Sequence, residues 1–365
     1  MKFRCERDTL AEAISTAQRA VAVRSGALPV LSGVHLHAAD NAVELIGSDL
    51  DLTIRVTIPA QVDTPGEAVV PAKLFDGLTT RLKPGTVTFE VEGDDARISA
   101  GSARAGVRLL PADEVPRVSD PEGASVTVDA QPLAEALRQV IPAASRDDAR
   151  PILTGVLLTA TATGMCLVAT DSYRLAVRDL EGVGMLTEGQ KVLVGARGLA
   201  EVQRVFGSGE IQVTLGEREV KFATETRSVT TRLIEGEFPN YEQLVPNGYP
   251  NRLTVARATL EEAVRLMQIV GEGREGTPVR LSMSASGLEL SATAQERADA
   301  VEAIDAKFEG SDLTVAFNPQ FLLDGLLAIE GEEAVLESMD PLKPATLRGG
   351  EHPEFLYLLM PVRIS

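Results

Sequence analysis

KFRCERDTLAEAI (Lys2–Ile14), VTVDAQPLAEAL (Val126–Leu137) and LTVARATLEEAV (Leu253–Val264) decide the fold. Each opens as a strand and continues into a helix whose acidic and aliphatic residues keep step at helical spacing. The matching leucines, Leu10, Leu133 and Leu260, stand 123 and 127 residues apart in a chain of 365 residues. Self-similarity at a fixed period means copies of one supersecondary unit, here three.

The blocks that follow repeat with similar offsets. LPVLSGVHLHA (Leu28–Ala38) matches RPILTGVLLTA (Arg150–Ala160), with Gly33 and Gly155 122 residues apart; TPVRLSMSA (Thr277–Ala285) keeps the strand and loses the Leu-x-Gly turn. VELIGSDLDL, CLVATDSYRL and LELSATAQER then place a polar, Ser/Thr-rich end after a strand. A second helix is expected in VPAKLFDGLTTRL, VGARGLAEVQRVF and FNPQFLLDGLLAI, whose apolar residues recur at helical spacing. Alternation in VTFEV and IQVTL marks half-buried antiparallel strands that close each copy. RLLPADEVPRV (Arg108–Val118) matches RLIEGEFPNYEQL (Arg232–Leu244), and turn formers gather in SDPEGAS (Ser119–Ser125) and PNGYPNR (Pro246–Arg252). The expected domains are 1–121, 122–249 and 250–365, of α+β class, each with two helices on antiparallel sheet. Three such units in a row leave an open strand edge at each end. Pairing the first edge of one chain with the last edge of another is a heterologous contact, and two arcs close a ring that way.

Composition sets limits. With 44% hydrophobic and 24% charged residues, the chain has the mix of an ordinary folded protein. The start, MKFRCERDTL, is charged where a signal peptide needs an apolar stretch, and no apolar run approaches the ~18 residues of a membrane span. A cytoplasmic protein is expected. Cys5 and Cys166, far apart and each in a strand-like run, read as buried free thiols. The net charge of −18 opposes nucleic-acid binding at face value, so any contact with DNA must use a local basic surface on an acidic body.

Chemistry is hard to find. His35 and His37 share a strand face as metal pairs do, without a third ligand near in sequence. GEGREG (Gly271–Gly276) has the GxGxxG pattern, but it follows a helix instead of joining strand to helix, which reads as a helix stop. Asp49, Asp51 and Asp171 sit at equivalent strand ends, where side chains that cap turns explain them without a metal. No catalytic residue, metal ligand set or cofactor is expected. The other classes to weigh are an enzyme with a cleft site, which needs a convergent polar cluster, and a protein-binding scaffold that never encircles DNA.

MKFRCERDTL, LPVLSG, VPAKLF, ATDSYRLAV, EGEFPNYEQLVP, FNPQFLLDGL and the final YLLMPVRIS, all in register, resemble the bacterial DNA polymerase III beta subunit family, the sliding clamps, over the whole chain. The resemblance implies the DNA clamp fold: a head-to-tail dimeric ring with helices lining the hole. It implies a processivity factor that encircles duplex DNA without reading sequence and holds polymerases there by topology. An ATP-driven clamp loader opens the ring, and the replicative polymerase alpha subunit and other clamp-motif proteins are its partners. By position, Arg24, Lys73, Arg146, Arg150 and Arg197 are the expected DNA-facing residues. The family's peptide-binding pocket corresponds here to Leu153, Thr170, Tyr173, Arg174, Leu175, Pro239, Leu244, Asn318, Phe321, Leu342, Met360, Pro361, Val362 and Arg363, an apolar floor with Arg and Asn at the rim. The expected ring interface is Ala105 and Val107 against Ile269 and Val270. Departures are Ser172-Tyr173, where some members have Gly-His, a missing aromatic near Gly276, and Ala105 where a large aromatic can occur.

Overall fold

The computed structural model describes residues 1–22, 28–246, 248–271, 277–294, 297–350 and 352–363. The first repeat contains β1 (Lys2–Glu6), α1 (Arg7–Ala17), β2 (Gly33–Ala39), β3 (Ala42–Ser48), β4 (Leu52–Pro59), β5 (Gln61–Thr64), β6 (Gly66–Pro71), α2 (Ala72–Thr79), β7 (Thr86–Glu92), β8 (Asp95–Ala100) and β9 (Ala103–Arg108). The second contains β10 (Ala124–Asp129), α3 (Ala130–Val140), β11 (Gly155–Ala160), β12 (Gly164–Thr170), β13 (Arg174–Glu181), β14 (Lys191–Gly195), α4 (Ala196–Val205), β15 (Glu210–Leu215), β16 (Glu219–Ala223) and β17 (Arg227–Arg232). The third contains β18 (Asn251–Ala256), α5 (Arg257–Gly271), β19 (Val279–Ser284), β20 (Gly287–Ala294), β21 (Ala298–Ile304), β22 (Ala306–Glu309), β23 (Leu313–Phe317), α6 (Pro319–Ala328), β24 (Glu333–Ser338), β25 (Ala345–Gly349) and β26 (His352–Leu359). Each repeat thus has the two helices and the closing strands that its pattern predicts.

By compactness the chain divides differently, into Met1–Gln131 with Arg197–Leu233, and Pro132–Ala196 with Ile234–Ser365. The cause is strand pairing between repeats. The first unit has a sheet in the order β5-β1-β7-β8-β9 and another in the order β10-β15-β16-β17-β4-β3-β2-β6. There β17 of the second repeat pairs with β4 of the first, Val229 opposite Ile54. The second unit has the orders β14-β11-β12-β13-β26-β25-β24-β18-β22 and β21-β20-β19-β23. There β13 pairs with the final strand β26, Val177 opposite Leu356. The middle repeat is therefore shared between two sheets, which no local pattern announces.

In the first unit, strand alternation sends Val43 and Leu45 of β3 and Ile54 of β4 inward, beneath Leu10 and Ile14 of α1. Each such side chain, fully buried, contributes about 1.5–3 kcal/mol relative to exposure. The helix and sheet meet so closely that a Cβ at Gly47 would lie 1.9 Å from the Ala17 carbonyl oxygen. Phe3 and Phe89 stack at 5.1 Å below β1 and β7. In the second unit α5 covers β20 and touches α6.

Both cysteines are free and buried, and burial pushes each thiol up to about 12. The thiolate is the reactive species. At pH 8 the native chain should therefore leave both thiols unlabelled by a thiol reagent over hours, and denaturant should release two equivalents at once. Labelling of either in the native state would place it outside its strand's core.

Candidate partner-binding site

The site in the second unit begins at the turn between β12 and β13. Asp171 Oδ1 accepts from the Tyr173 and Arg174 amides at 2.9 and 3.0 Å, and the Thr170 hydroxyl donates to the Arg174 carbonyl at 2.6 Å. Ser172 is held at φ 81, a conformation that suits the glycine some family members have there. Asp49 caps the matching turn of the first repeat, accepting from the Asp51 and Leu52 amides at 3.2 and 2.9 Å. The turn-capping expectation is met for Asp49 and Asp171 but not for Asp51, whose carboxylate instead accepts from Arg232 at 3.3 Å.

Arg174 leaves the turn inward and organises the region. Its Nε donates to Asp171 Oδ2 at 3.0 Å, and Nη1 donates to Asp324 on α6 and, at 3.3 Å, to the Tyr357 hydroxyl. Its guanidinium carbon lies 4.3 Å from the centre of the Phe321 ring. Burial pushes the Tyr357 phenol up, against the opposing effect of Arg174, so it stays protonated and donates to the Phe321 carbonyl at 3.1 Å. Asn318 begins α6 by accepting from the Gln320 and Phe321 amides at 2.9 and 3.3 Å, with Pro319 at the first helical position. Arg174 and Asn318 were expected at a rim. Both are half-buried: Arg174 lies between two carboxylates and a phenol, and Asn318 uses its side-chain oxygen as a helix cap. Asp171, Asp324 and Tyr357 are the members of this network that the pattern did not single out as such.

What remains open is apolar. Register places Leu175 beside Leu358, and Arg174 beside Leu359, so Tyr173 and Met360 are the next pair on the face of Leu175 and Leu358. The Met360 amide donates to the Tyr173 carbonyl at 2.9 Å, and the Val362 amide to Ala316 at 2.7 Å, which ties the tail down. Leu175 and Leu358 are buried in a cluster with Leu157, Val168 and Leu193, against which Phe238, Tyr241 and Val245 pack. Around this floor, Tyr173 is 60% exposed and Leu342 63%, with Leu244 and Met360 also exposed. Tyr173 stacks on Phe321 at 6.4 Å, and Asp340 fixes the Leu342 loop through two amides. Exposed leucine, methionine and tyrosine over a buried apolar floor form the kind of surface that takes short hydrophobic segments. Pro239 is exposed in the segment between Phe238 and Leu244; Pro361 and Val362 are half-buried, Leu153 and Thr170 buried, and Arg363 exposed.

The other expected residues fall as follows. Lys73 and Arg146 are exposed. Arg150 pairs with Asp147 at 3.0 Å and also donates to Ser172 Oγ at 3.3 Å; Arg197 pairs with Asp49. Arg24 and Gly276, and GEGREG beyond Gly271, lie outside the described residues. Ile269 is exposed and Val270 half-buried on α5. Val107 was expected to give an apolar contact across the join; it is 2% exposed and faces its own core, because β9 turns Arg104, Gly106 and Arg108 outward. His35 and His37 flank Glu67 at 3.4 and 3.2 Å. Glu67 lies on β6, paired with β2, so sequence distance hid it. Glu330, His352 and Glu354 offer ligand atoms within 4.8 Å of one another. Arg178, 3.3 Å from Glu354, and Arg138, 3.9 Å from Glu330, already balance those carboxylates.

Three repeats of two helices on antiparallel sheet, with exposed apolar side chains beside the last strand, define a clamp-type α+β protein. Profiles of the N-terminal, central and C-terminal domains of the DNA polymerase III beta subunit match residues 1–119, 127–240 and 242–363. The chain is 37% identical to the beta sliding clamp of Streptomyces coelicolor, over 100% of both proteins. Among solved structures it is similar to the DNA polymerase sliding clamp from Bacillus subtilis (28% identity, TM-score 0.89) and to the DNA polymerase III subunit beta from Pseudomonas aeruginosa bound to griselimycin (27% identity, TM-score 0.90). Both comparisons cover 100% of each chain. The chain belongs to the DNA polymerase III beta subunit family.

Proposed function

We propose that this chain is a processivity clamp that closes with a second copy into a ring around duplex DNA and tethers the replicative polymerase and other partners through the Tyr173–Met360 face. The observation that carries this reading is the match of all three beta-subunit domain profiles in order along one chain. Its domains are taken as 1–121, 122–249 and 250–365, and its place of work as the cytoplasm, with the chromosome.

Ring closure is supported by two of the sheets' end strands. β9 ends one sheet of the first unit and β21 ends one sheet of the second. β9 presents Arg104, with Arg108 already paired to Asp94 and Asp95; β21 presents Asp299 and an exposed Val301, with Glu302 half-buried. Such edges invite pairing, and their opposite charges favour each other over self-association. Ile269 and Val270 on α5, the helix that packs on β21, supply apolar contact.

On DNA, the five basic residues Arg24, Lys73, Arg146, Arg150 and Arg197 line the path. Arg150 and Arg197 already have carboxylate partners, so their hold on phosphate is weak. Retention by topology needs no tight phosphate contact, and a net charge of −18 keeps DNA off other faces. A clamp loader opens the ring with ATP. Griselimycin, the ligand of the Pseudomonas relative, is taken here as a ligand of the Tyr173–Met360 face.

The test is retention on a circle. The protein is loaded onto nicked plasmid with a bacterial clamp loader and ATP, isolated, and the plasmid is then cut. We expect protein to stay on the circle in moderate salt and to leave once the DNA is linear. Equal retention on both forms, or a chain that stays monomeric and never loads, would replace the ring with a simple protein-binding scaffold. Among the described residues no helix is long and apolar enough to cross a membrane.

A further inference from the structure

The first unit contains a cavity of about 640 Å³ between its sheet and the segment 112–119 that follows β9. Ile46 and Val69 line the sheet side, with Val30 from the turn before β2, and Val115 and Pro116 lie on the segment 112–119. A second space of about 370 Å³ adjoins it at Arg55 and Val118, where Arg55 Nη2 donates to the Val118 carbonyl at 2.7 Å.

The second repeat shows what this place holds when filled. The two repeats share their anchors. Ser32 and Thr154 hydroxyls donate to the Pro29 and Pro151 carbonyls at 2.7 and 2.8 Å. Leu50 and Ser172 both have positive φ, 78 and 81. The Leu110 amide donates to Val69 at 2.9 Å as the Ile234 amide donates to Leu193 at 2.8 Å. From these anchors His35 corresponds to Leu157, Ile46 to Val168 and Val69 to Leu193; the segment after Leu110 is one residue longer than that after Ile234, and with Pro116 aligned to Pro239, Val-Pro-Arg-Val (115–118) corresponds to Phe-Pro-Asn-Tyr (238–241). In the second repeat Phe238 and Tyr241 pack onto Leu157, Val168 and Leu193. In the first, two valines stand where two rings would be, and the space is left open. Tyr241 packs against the cluster that contains Cys166, whose counterpart in the first repeat is Glu44 on β3, beside Arg55 at 3.8 Å. A hydroxyl arriving there meets a carboxylate, a stronger acceptor than a thiol.

We infer that this groove is a second peptide-docking site, which takes an extended segment with two aromatic side chains three residues apart, the second bearing a hydroxyl. The inference stands apart from the clamp reading. It rests on a space whose repeat counterpart is filled by that very pattern, and on Glu44 placed for the phenol.

The probe is the fluorescein-labelled decapeptide EGEFPNYEQL, the chain's own Glu235–Leu244, titrated with the full-length protein and followed by anisotropy. Saturable binding below about 1 mM is expected, weakened at least about tenfold when both aromatics of the peptide become alanine. V115F/V118F, which fills the groove from within, should weaken binding by a similar factor while raising the melting temperature. E44Q should weaken the tyrosine peptide more than its phenylalanine analogue, a comparison that does not depend on groove filling. Met360→Asp in the second unit should leave binding unchanged. No saturation up to that concentration, binding that survives V115F/V118F, or equal effects of E44Q on the two peptides would each overturn the inference. Loss through Met360→Asp alone would overturn it too, by assigning the peptide to the second unit.

Discussion

Arg174→Ala should lower the stability of the second unit by about 3–5 kcal/mol, the range for removing one partner from a buried ion pair. The Arg174 side chain is one-tenth exposed and its guanidinium meets Asp171 and Asp324 at once, so its loss leaves two carboxylates without their cation. The Phe321 ring also loses its cationic neighbour, a further ~1 kcal/mol. Arg174→Lys keeps the charge but not the fork that reaches Asp171, Asp324 and Tyr357 together, and should recover only part of the loss. Tyr357→Phe removes one hydroxyl and should cost about 1–2 kcal/mol. The readout can be confined to this unit. The chain has no tryptophan, and its four tyrosines, at 173, 241, 249 and 357, all belong to the second unit. Tyrosine fluorescence in urea therefore reports that unit's transition alone. A midpoint within error of the wild type for Arg174→Ala would mean that solvent, not the guanidinium, already compensates the two aspartates.

Which parts of this were legible in sequence follows from the range of the interactions. Helices and closing strands are local, and each repeat shows them where periodicity places them. The Asp49 and Asp171 turns were also legible, because an aspartate two or three residues before the amides it accepts from is a local device. The Arg174 network was not: Asp324 is 150 residues away and Tyr357 183. Read alone, an arginine in ATDSYRLAV looks like a solvent-facing rim, yet it is the part that fixes α6 against the last strand. The division of the second repeat between two sheets has the same origin, pairings of β4 with β17 and β13 with β26 across the chain. Val107 is a different case. Alternation along Arg104-Ala105-Gly106-Val107-Arg108 already put the valine opposite the arginines, so its inward direction could have been read.

The partner face leads to the second large effect. On the proposed function, Met360→Asp and Leu342→Asp should each weaken griselimycin, and a labelled clamp-binding peptide of the replicative polymerase, by at least ~30-fold, since an apolar anchor site that gains a charge loses about 2 kcal/mol or more of binding. The same changes should leave the urea midpoint within about 0.5 kcal/mol of the wild type, as exposed side chains usually do. That separation is favoured by how the backbone is held. Asp340 fixes the Leu342 and Lys343 amides, and the Met360 amide is bonded to Tyr173, none of which involves the side chains exchanged. Calorimetry gives the affinity and tyrosine fluorescence the fold. Weak binding with an unchanged midpoint places the contact on this face and frees Arg174 from a direct role, consistent with its burial. Unchanged binding by both variants would move the contact off the Tyr173–Met360 surface altogether. Loss of both binding and stability would mean that Leu342 and Met360 hold the C-terminal tail against β23, so that the surface is a seam of the fold and the partner's site lies elsewhere.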